Sequence, residues 1–372
     1  MTPILLAGLP NKNMALLHRC RFAVGDPAAW VELPGETVFV CRDIEVARAR
    51  QKVKADRVVC PADVLPDDQL SGERDVATAQ AVTKLLSDAG ADAVTGDRSL
   101  GLVYVDVLRE NGIDVQLDRD LGIADRRSKS AEEVEILRNI QSITEAAIAL
   151  AGETIHGASV GEGGVLLHDG EPLTSERLKA IVETFLLGRG ASSDNGMIVA
   201  GPPHCADCHD AGRGPLRTGE PLIVDVFPRD RSSNYWGDMT RTFVHGTPGD
   251  ELKKMHAAVV AAKAAAIAAV RPGATGAAVH AATVETLKWH GFSYGPPSGG
   301  EPTMPHGTGH GVGLEVHEAP LLDPKGPPLV EGDILTIEPG LYGLRAGGVR
   351  VEDMVVVTPG GCENLNRLGE DL

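Results

Sequence analysis

Apolar and polar positions alternate along the first third of this chain as short buried strands between helices. Apolar runs at 3–8, 37–41, 57–60 and 92–95 read as strands, and helical periodicity at 44–53, 73–89 and 100–111 falls between them. That alternation predicts an α/β domain over 1–125. Residues 118–130 are charged, with few apolar positions, and read as a linker. Ser130 is an N-cap candidate, with Glu132 and Glu133 in the first turn, where the helix dipole favours negative charge. The apolar stripe Val134, Leu137, Ile140, Ile148 then predicts a helix. Asp169-Gly170 reads as a turn. A second helix is expected at 175–187 and strands at 197–200, 222–227 and 241–245. The pattern then recurs, with helices at 250–270 and 275–290 and strands at 311–317, 334–338 and 349–357. Two helices followed by strands, twice over, is a weak internal repeat. It predicts an α+β domain over 126–372, pseudo-symmetric, with a site between its halves.

Composition changes this picture little. At 372 residues the chain has length for two cores, and 42% hydrophobic with 23% charged residues is ordinary for a globular protein. A net charge of −17 argues against a nucleic-acid-binding surface. Six cysteines show no regular disulfide framework. Residues 1–10 carry no basic leader, and the alanine-rich stretch at 257–270 contains Lys263, so neither a signal peptide nor a membrane span is expected and the cytoplasm is the default.

The chemistry concentrates in His306-Gly-Thr-Gly-His310-Gly-Val-Gly-Leu-Glu-Val-His317-Glu318. Its glycines permit close backbone approach, and the alternation Val312, Leu314, Val316 reads as a strand with one face in a core. Imidazoles held on such backbone suggest a metal or catalytic site; a glycine-rich loop with incidental histidines is the plain alternative. Four carboxylates elsewhere break apolar runs. Asp225 lies in Leu-Ile-Val-Asp-Val-Phe, and Asp238 precedes Met-Thr-Arg-Thr-Phe. Glu338 ends Ile-Leu-Thr-Ile before Pro339-Gly340, and Glu352 lies in Val-Arg-Val-Glu-Asp-Met-Val, where period-two alternation puts Arg350 on its face. Any one alone is most simply a structural ion pair. If all converge they repel one another, and two divalent cations remove that problem. Oxygen-rich ligation with imidazole suits Mn, Co, Zn or Fe, and a metal pair can share a bridging hydroxide, a nucleophile available at neutral pH.

At these motifs the sequence resembles the metallopeptidase family of methionine aminopeptidase, aminopeptidase P and prolidase, whose catalytic domain is the pita-bread fold. The resemblance covers roughly the last 240 residues. The first domain, with Lys129-Ser130-Ala-Glu-Glu-Val, resembles the creatinase and prolidase branch. The resemblance implies that Asp225, Asp238, His310, Glu338 and Glu352 ligate two divalent cations, manganese foremost, with Asp238 and Glu352 bridging. It makes Glu338 the acid/base, puts His317 at the scissile carbonyl or the tetrahedral intermediate, and puts His209 near the leaving side. His306 and Arg350 orient ligands, His306 also facing substrate and Arg350 belonging to the catalytic set. The implied activity is Xaa-Pro peptide hydrolysis, of aminopeptidase P or prolidase type, on short peptides with proline second, by a homodimer. A non-peptidase hydrolase or lyase on the same scaffold, or a metal-free binding relative, is the alternative.

Two features depart from the family pattern. Asp225 and Asp238 stand 13 positions apart (238 − 225), about two more than usual in the family. The extra residues fall in 228–234, where Asp230 competes with Asp225 as the ligand; Asp225 is favoured because it lies in the apolar run. The second is Cys205-Ala-Asp-Cys208-His209, which by itself matches a c-type haem attachment or half a zinc site, His204 being the one further ligand nearby; free thiols or a strained redox-sensitive pair beside the substrate pocket are favoured over both.

Overall fold

In a computed structural model, residues 2–296 and 300–372 are described. The chain forms two compact units, Met1–Arg126 and Arg127–Leu372.

The first unit is built on a six-stranded mixed sheet. Its order is Arg57–Val59, Glu36–Val40, Ala28–Leu33, Ile4–Gly8, Ala93–Gly96, Asp114–Leu117. Helices cover both faces, which explains why its central strands read as unbroken apolar runs. Leu5, Val38 and Val40 pack with residues of helices Arg74–Asp88 and Leu102–Glu110. Leu6 and Phe39 point the other way, to helices Met14–Cys20 and Asp43–Lys52. The expected strands and helices are present. Helix Met14–Cys20 and strands Ala28–Leu33 and Asp114–Leu117 are additions. The linker expected over 118–130 is not structureless, for it contains helix Ile123–Arg127. Leu121 packs beside the first-unit core just before that helix, and one anchoring side chain among charges is too weak a pattern to read.

The second unit opens with helix Ala131–His156. Ser130 caps it, and its hydroxyl accepts from the Glu133 backbone N–H while the Glu133 carboxylate accepts from that of Ser130. This helix and Ser175–Gly188 pack on an antiparallel sheet of Met197–Ala200, Pro221–Val226 and Met239–Val244. The hairpin between Leu166–His168 and Glu171–Pro172 turns on Asp169 and Gly170, both at positive φ, 52° and 78°. Helices Asp250–Ala269 and Gly276–Trp289 follow. After them Gly309–Gly311, Ile334–Ile337 and Asp353–Thr358 lie side by side in a five-stranded sheet, so each half pairs two helices with three antiparallel strands.

A four-stranded sheet containing Gly340–Gly343 and Gly347–Arg350 adjoins in sequence. The chain leaves the five-stranded sheet through Glu338-Pro339 and returns to it through Val351-Glu352. The single strand expected over 349–357 is therefore two strands, and Glu352 sits at the crossing, where strict alternation with Arg350 ends. The strand expected over 311–317 also fails, because it stops at Gly311. A Cβ on Gly311 would lie 2.4 Å from the Ala319 carbonyl oxygen, and one on Gly313 2.5 Å from the Glu318 carboxylate. The backbone folds back against its partner strand there, the register shifts after His310, and Gly313 N–H closes on Glu315 O at 3.0 Å. Val312 and Leu314 are buried as loop residues rather than as one face of a strand.

Candidate metal centre and substrate pocket

Alternation in Pro221–Val226 sends Leu222, Val224 and Val226 to the helix-packed core and leaves Ile223 and Asp225 on the opposite face. Asp238 stands one residue before Met239–Val244. Its backbone is gripped by Gln141, which accepts from Asp238 N–H at 2.9 Å and donates to Asp238 O at 2.7 Å. His310 is the middle residue of Gly309–Gly311. A side chain on Gly309 would run into the Thr336 carbonyl at 2.0 Å, so only glycine lets that strand pass close enough. Glu338 and Glu352 mark the two crossings between sheets.

These elements bring Asp225, Asp238, His310, Glu338 and Glu352 to the wall of one cavity of about 540 Å³, together with His209, His306, His317 and Arg350. Ligand atoms of Asp238, His310 and Glu352 all lie within 4.8 Å of one another. His310 Nε2 is 3.8 Å from Asp238 Oδ2 and 3.4 Å from Glu338 Oε1. Asp230, the competing candidate, is turned away from this group. Its carboxylate accepts the backbone N–H groups of Ser232 and Ser233 at 2.6 and 2.9 Å, organising the turn at the longer connection.

The electrostatics are those of an uncompensated anionic cluster. Burial, then the charges of Glu352, Asp225 and Glu338, holds the Asp238 carboxyl well above its usual range. Glu352 is raised likewise by burial and by Glu338 and Asp225. Burial, reinforced by Asp225 against the pull of Arg350, lifts Glu338 to about 7. His310 falls to about 3 through burial and the neighbouring His317, whose ring centroid is 4.2 Å away. His310 is thus neutral, and with Nδ1–H donating to Gly311 O at 3.1 Å its Nε2 lone pair faces the carboxylates.

Arg350 is the fixed cation among the lining residues, and it is committed. It donates to Asp225 Oδ2 at 2.5 Å, to the Tyr342 hydroxyl at 2.8 Å, to Thr240 Oγ1 at 3.2 Å and to Cys208 O at 3.2 Å. Tyr342 O–H in turn donates to His306 Nε2 at 3.0 Å, while His306 Nδ1–H donates to Gly307 O at 2.7 Å. His306 is neutral, brought to about 4 by burial and by Arg350. Both its ring nitrogens are used, so it braces the wall. His209 and His317 remain the exposed imidazoles of the pocket.

The donor set fits divalent metal. The buried Asp225 Oδ1 has no hydrogen-bond partner. Five carboxylates line the pocket, the four candidate ligands and Asp323, against one guanidinium, with a neutral imidazole offering a lone pair. A buried group of this sign is costly without a cation. Three supporting residues lie outside the sequence reading. Thr240 donates to Glu352 Oε2 at 2.7 Å, and alternation from Asp238 along Met239–Val244 was the signal that pointed to it. Gln141 carried no linear signal, and Tyr342 closes the stretch Glu338-Pro-Gly-Leu-Tyr342, which by itself gives it no role.

The chain matches the model of metallopeptidase family M24 over residues 135–359 and belongs to that family. It is 32% identical over 245 residues, 65% of this chain and 66% of the other, to an uncharacterized peptidase of Bacillus subtilis. It is 28% identical over 247 residues, 66% of this chain and 64% of the other, to an Xaa-Pro dipeptidase of Pyrococcus furiosus. The match thus spans just under two-thirds of the length of these curated relatives. In structure it is similar to the prolidase of Pyrococcus horikoshii, with a TM-score of 0.81 at 22% identity, covering 100% of this chain and 95% of that one. The fold is therefore the pita-bread fold preceded by an α/β unit. No helix among the described residues is long and apolar enough to cross a membrane.

Proposed function

We propose that this chain is a metal-dependent Xaa-Pro peptidase, hydrolysing the bond between an N-terminal residue and proline in short peptides. The observation that carries the reading is the buried cluster itself: Asp238, His310 and Glu352 with ligand atoms within 4.8 Å, flanked by Glu338 and by the partnerless Asp225 Oδ1. Family membership and the prolidase-like fold support the peptidase class, and the relatives' names support proline specificity.

Asp225, Asp238, His310, Glu338 and Glu352 would hold two divalent cations, of which manganese is our first choice. When bound, the pair supplies Lewis acidity and an activated water at neutral pH. The chain's own residues do the rest. Glu338, beside His310 at the cavity wall, takes the proton from the attacking water and passes it to the leaving imino nitrogen of proline. His317, exposed in the pocket and stacked edge-on to His310, donates to the oxyanion that develops on the scissile carbonyl. His209 contacts the substrate on the leaving side, and Phe227, Ile198 and Val316 give the cavity apolar wall for a pyrrolidine ring. Arg350 fixes Asp225 and, through Tyr342, the ring of His306. We place the enzyme in the cytoplasm as a homodimer, to be checked by gel filtration.

The test is a three-substrate panel on manganese-loaded protein: an Xaa-Pro dipeptide, an Xaa-Pro-Xaa tripeptide and a proline-free control. Cleavage confined to the first two is expected, and the better of them separates a prolidase from an aminopeptidase P. Equal cleavage of the control removes the proline specificity and leaves a general aminopeptidase.

A further inference from the structure

The motif Cys205-Ala-Asp-Cys208-His209 pairs two thiols in sequence, and in the fold both are free, Cys205 buried and Cys208 partly exposed. Cys205 is fully buried with Ile223 and Tyr342, and its Sγ lies 3.1 Å from where a Cβ on Gly347 would stand. His204 is also spoken for, its Nδ1 being 2.9 Å from Asp210 Oδ2. What remains is a different trio. Asp207, Cys208 and His209 offer a carboxylate oxygen, a thiol sulfur and an imidazole nitrogen, all within 4.8 Å of one another. Sulfur, nitrogen and oxygen donors in one such group suit a borderline-soft divalent cation in tetrahedral coordination, with the fourth position left to water.

The turn that presents them is held in place. Asp207 N–H donates to His204 O at 3.0 Å, and His209 N–H to Asp207 Oδ1 at 2.9 Å. Arg350, the residue that grips Asp225, also donates to Cys208 O at 3.2 Å. Cys208 and His209 line the substrate cavity, whereas Asp207 is exposed outside its lining.

We propose that Asp207, Cys208 and His209 form a separate inhibitory site for a thiophilic divalent cation, Zn²⁺ or Cd²⁺, on the wall of the substrate pocket. Binding exchanges the Cys208 S–H bond for a sulfur–metal bond and releases the proton to solvent, with no change of oxidation state. It occupies the imidazole of His209 and puts a hydrated cation where substrate would lie. The binding half is independent of the peptidase reading, and the inhibition half rests on it.

Manganese-loaded protein is titrated with Cd²⁺. Three signals are followed: the ultraviolet cadmium–thiolate charge-transfer band, the reactivity of Cys208 toward a thiol reagent, and hydrolysis of the Xaa-Pro substrate. The expected result is a band that saturates at a single equivalent per chain, protection of Cys208, and loss of activity over the same range. Cys208→Ser abolishes the band and, relative to its own uninhibited rate, needs at least about 100-fold more Cd²⁺ for half-inhibition, since losing a direct thiolate ligand costs more than the roughly 10–100-fold of losing a group that merely orients one. Asp207→Asn keeps its uninhibited rate and shifts the band's midpoint upward. A band that persists in Cys208→Ser assigns the cadmium to another cysteine, and equal inhibition of that variant and the wild type assigns the inhibition to the carboxylate cluster; either result overturns the proposal. If the protein cleaves no peptide, the band and the thiol protection still report whether the cation binds.

Discussion

Replacing Glu338 with glutamine separates a metal centre from a structural ion-pair network. In the metal-free fold, burial and the Asp225 charge lift Glu338 from 4.5 to about 7. A carboxyl raised on folding contributes stability that is fully present below its unfolded value of 4.5 and is lost as pH rises through about 7. At pH 8 the shift amounts to about 3 kcal/mol of destabilisation, and at pH 5 to less than about 1 kcal/mol. Glutamine removes the charge and keeps the shape. Metal-free Glu338→Gln should therefore be more stable than metal-free wild type by about 3 kcal/mol at pH 8, with most of that advantage gone at pH 5. Urea denaturation of chelator-treated protein at the two pH values reads this directly. Saturating Mn²⁺ should reverse the order, because the cations offset the repulsion in the wild type while the variant has lost a ligand. A metal-free variant less stable than wild type at pH 8 would refute the reasoning, since Glu338 would then be a favourably paired charge.

Three further outcomes follow from neighbouring contacts. Thr240→Val removes the buried hydroxyl that donates to Glu352 and accepts from Arg350; calorimetric titration should show Mn²⁺ affinity weakened by about 10–100-fold, and orphaning the Arg350 donor should lower metal-free stability by about 1–3 kcal/mol. Lys263→Met strips a buried cation from Asp353 and from Glu370, 2.5 Å away, and should cost about 3 kcal/mol in urea denaturation, the lower end for a broken buried pair because Arg241 still holds Asp353 at 2.8 Å. Burial works to raise the Asp353 carboxyl, but Lys263 and Arg241 outweigh it and hold the group below its usual range. The stability the pair provides is present above that range and fades as pH falls through the lowered value, so the deficit of Lys263→Met should shrink in acid. Gly309→Ala forces a methyl to within 2.0 Å of Thr336 O; it should lower stability by about 1–3 kcal/mol or more, read by thermal denaturation, and abolish Mn²⁺ binding by displacing His310.

The four candidate carboxylates were legible because each breaks an apolar run, where a charge needs a reason, and His310 because it stands in a glycine-punctuated stretch. The same logic misplaced the elements around them. Val312, Leu314 and Val316 alternate as a strand would, yet the backbone there is bent by contacts of Gly311 and Gly313 with residues 318 and 319. Alternation reports burial, and Val312 and Leu314 are buried without being in a sheet. Likewise the run around Glu352 is buried throughout, charged residues included, because the chain passes between two sheets without leaving the interior. Gln141 supports Asp238 from 97 positions away, and Tyr342 joins Arg350 to His306 across a hairpin. Neither pairing has a local pattern, since both follow from how separate elements pack. The helices carried their signals in their own residues, as at Ser130 and Glu133, and were read to within a few positions.

The most direct test is the rate of Xaa-Pro dipeptide or tripeptide hydrolysis as Mn²⁺ is titrated into metal-stripped protein, in wild type and in Asp238→Ala. The account predicts activity that depends wholly on added metal and levels off near two bound equivalents per chain, against a flat, near-zero trace for Asp238→Ala. Undiminished hydrolysis in the stripped protein, or a wild-type response from Asp238→Ala, would contradict a carboxylate–histidine dimetal centre as the source of the activity.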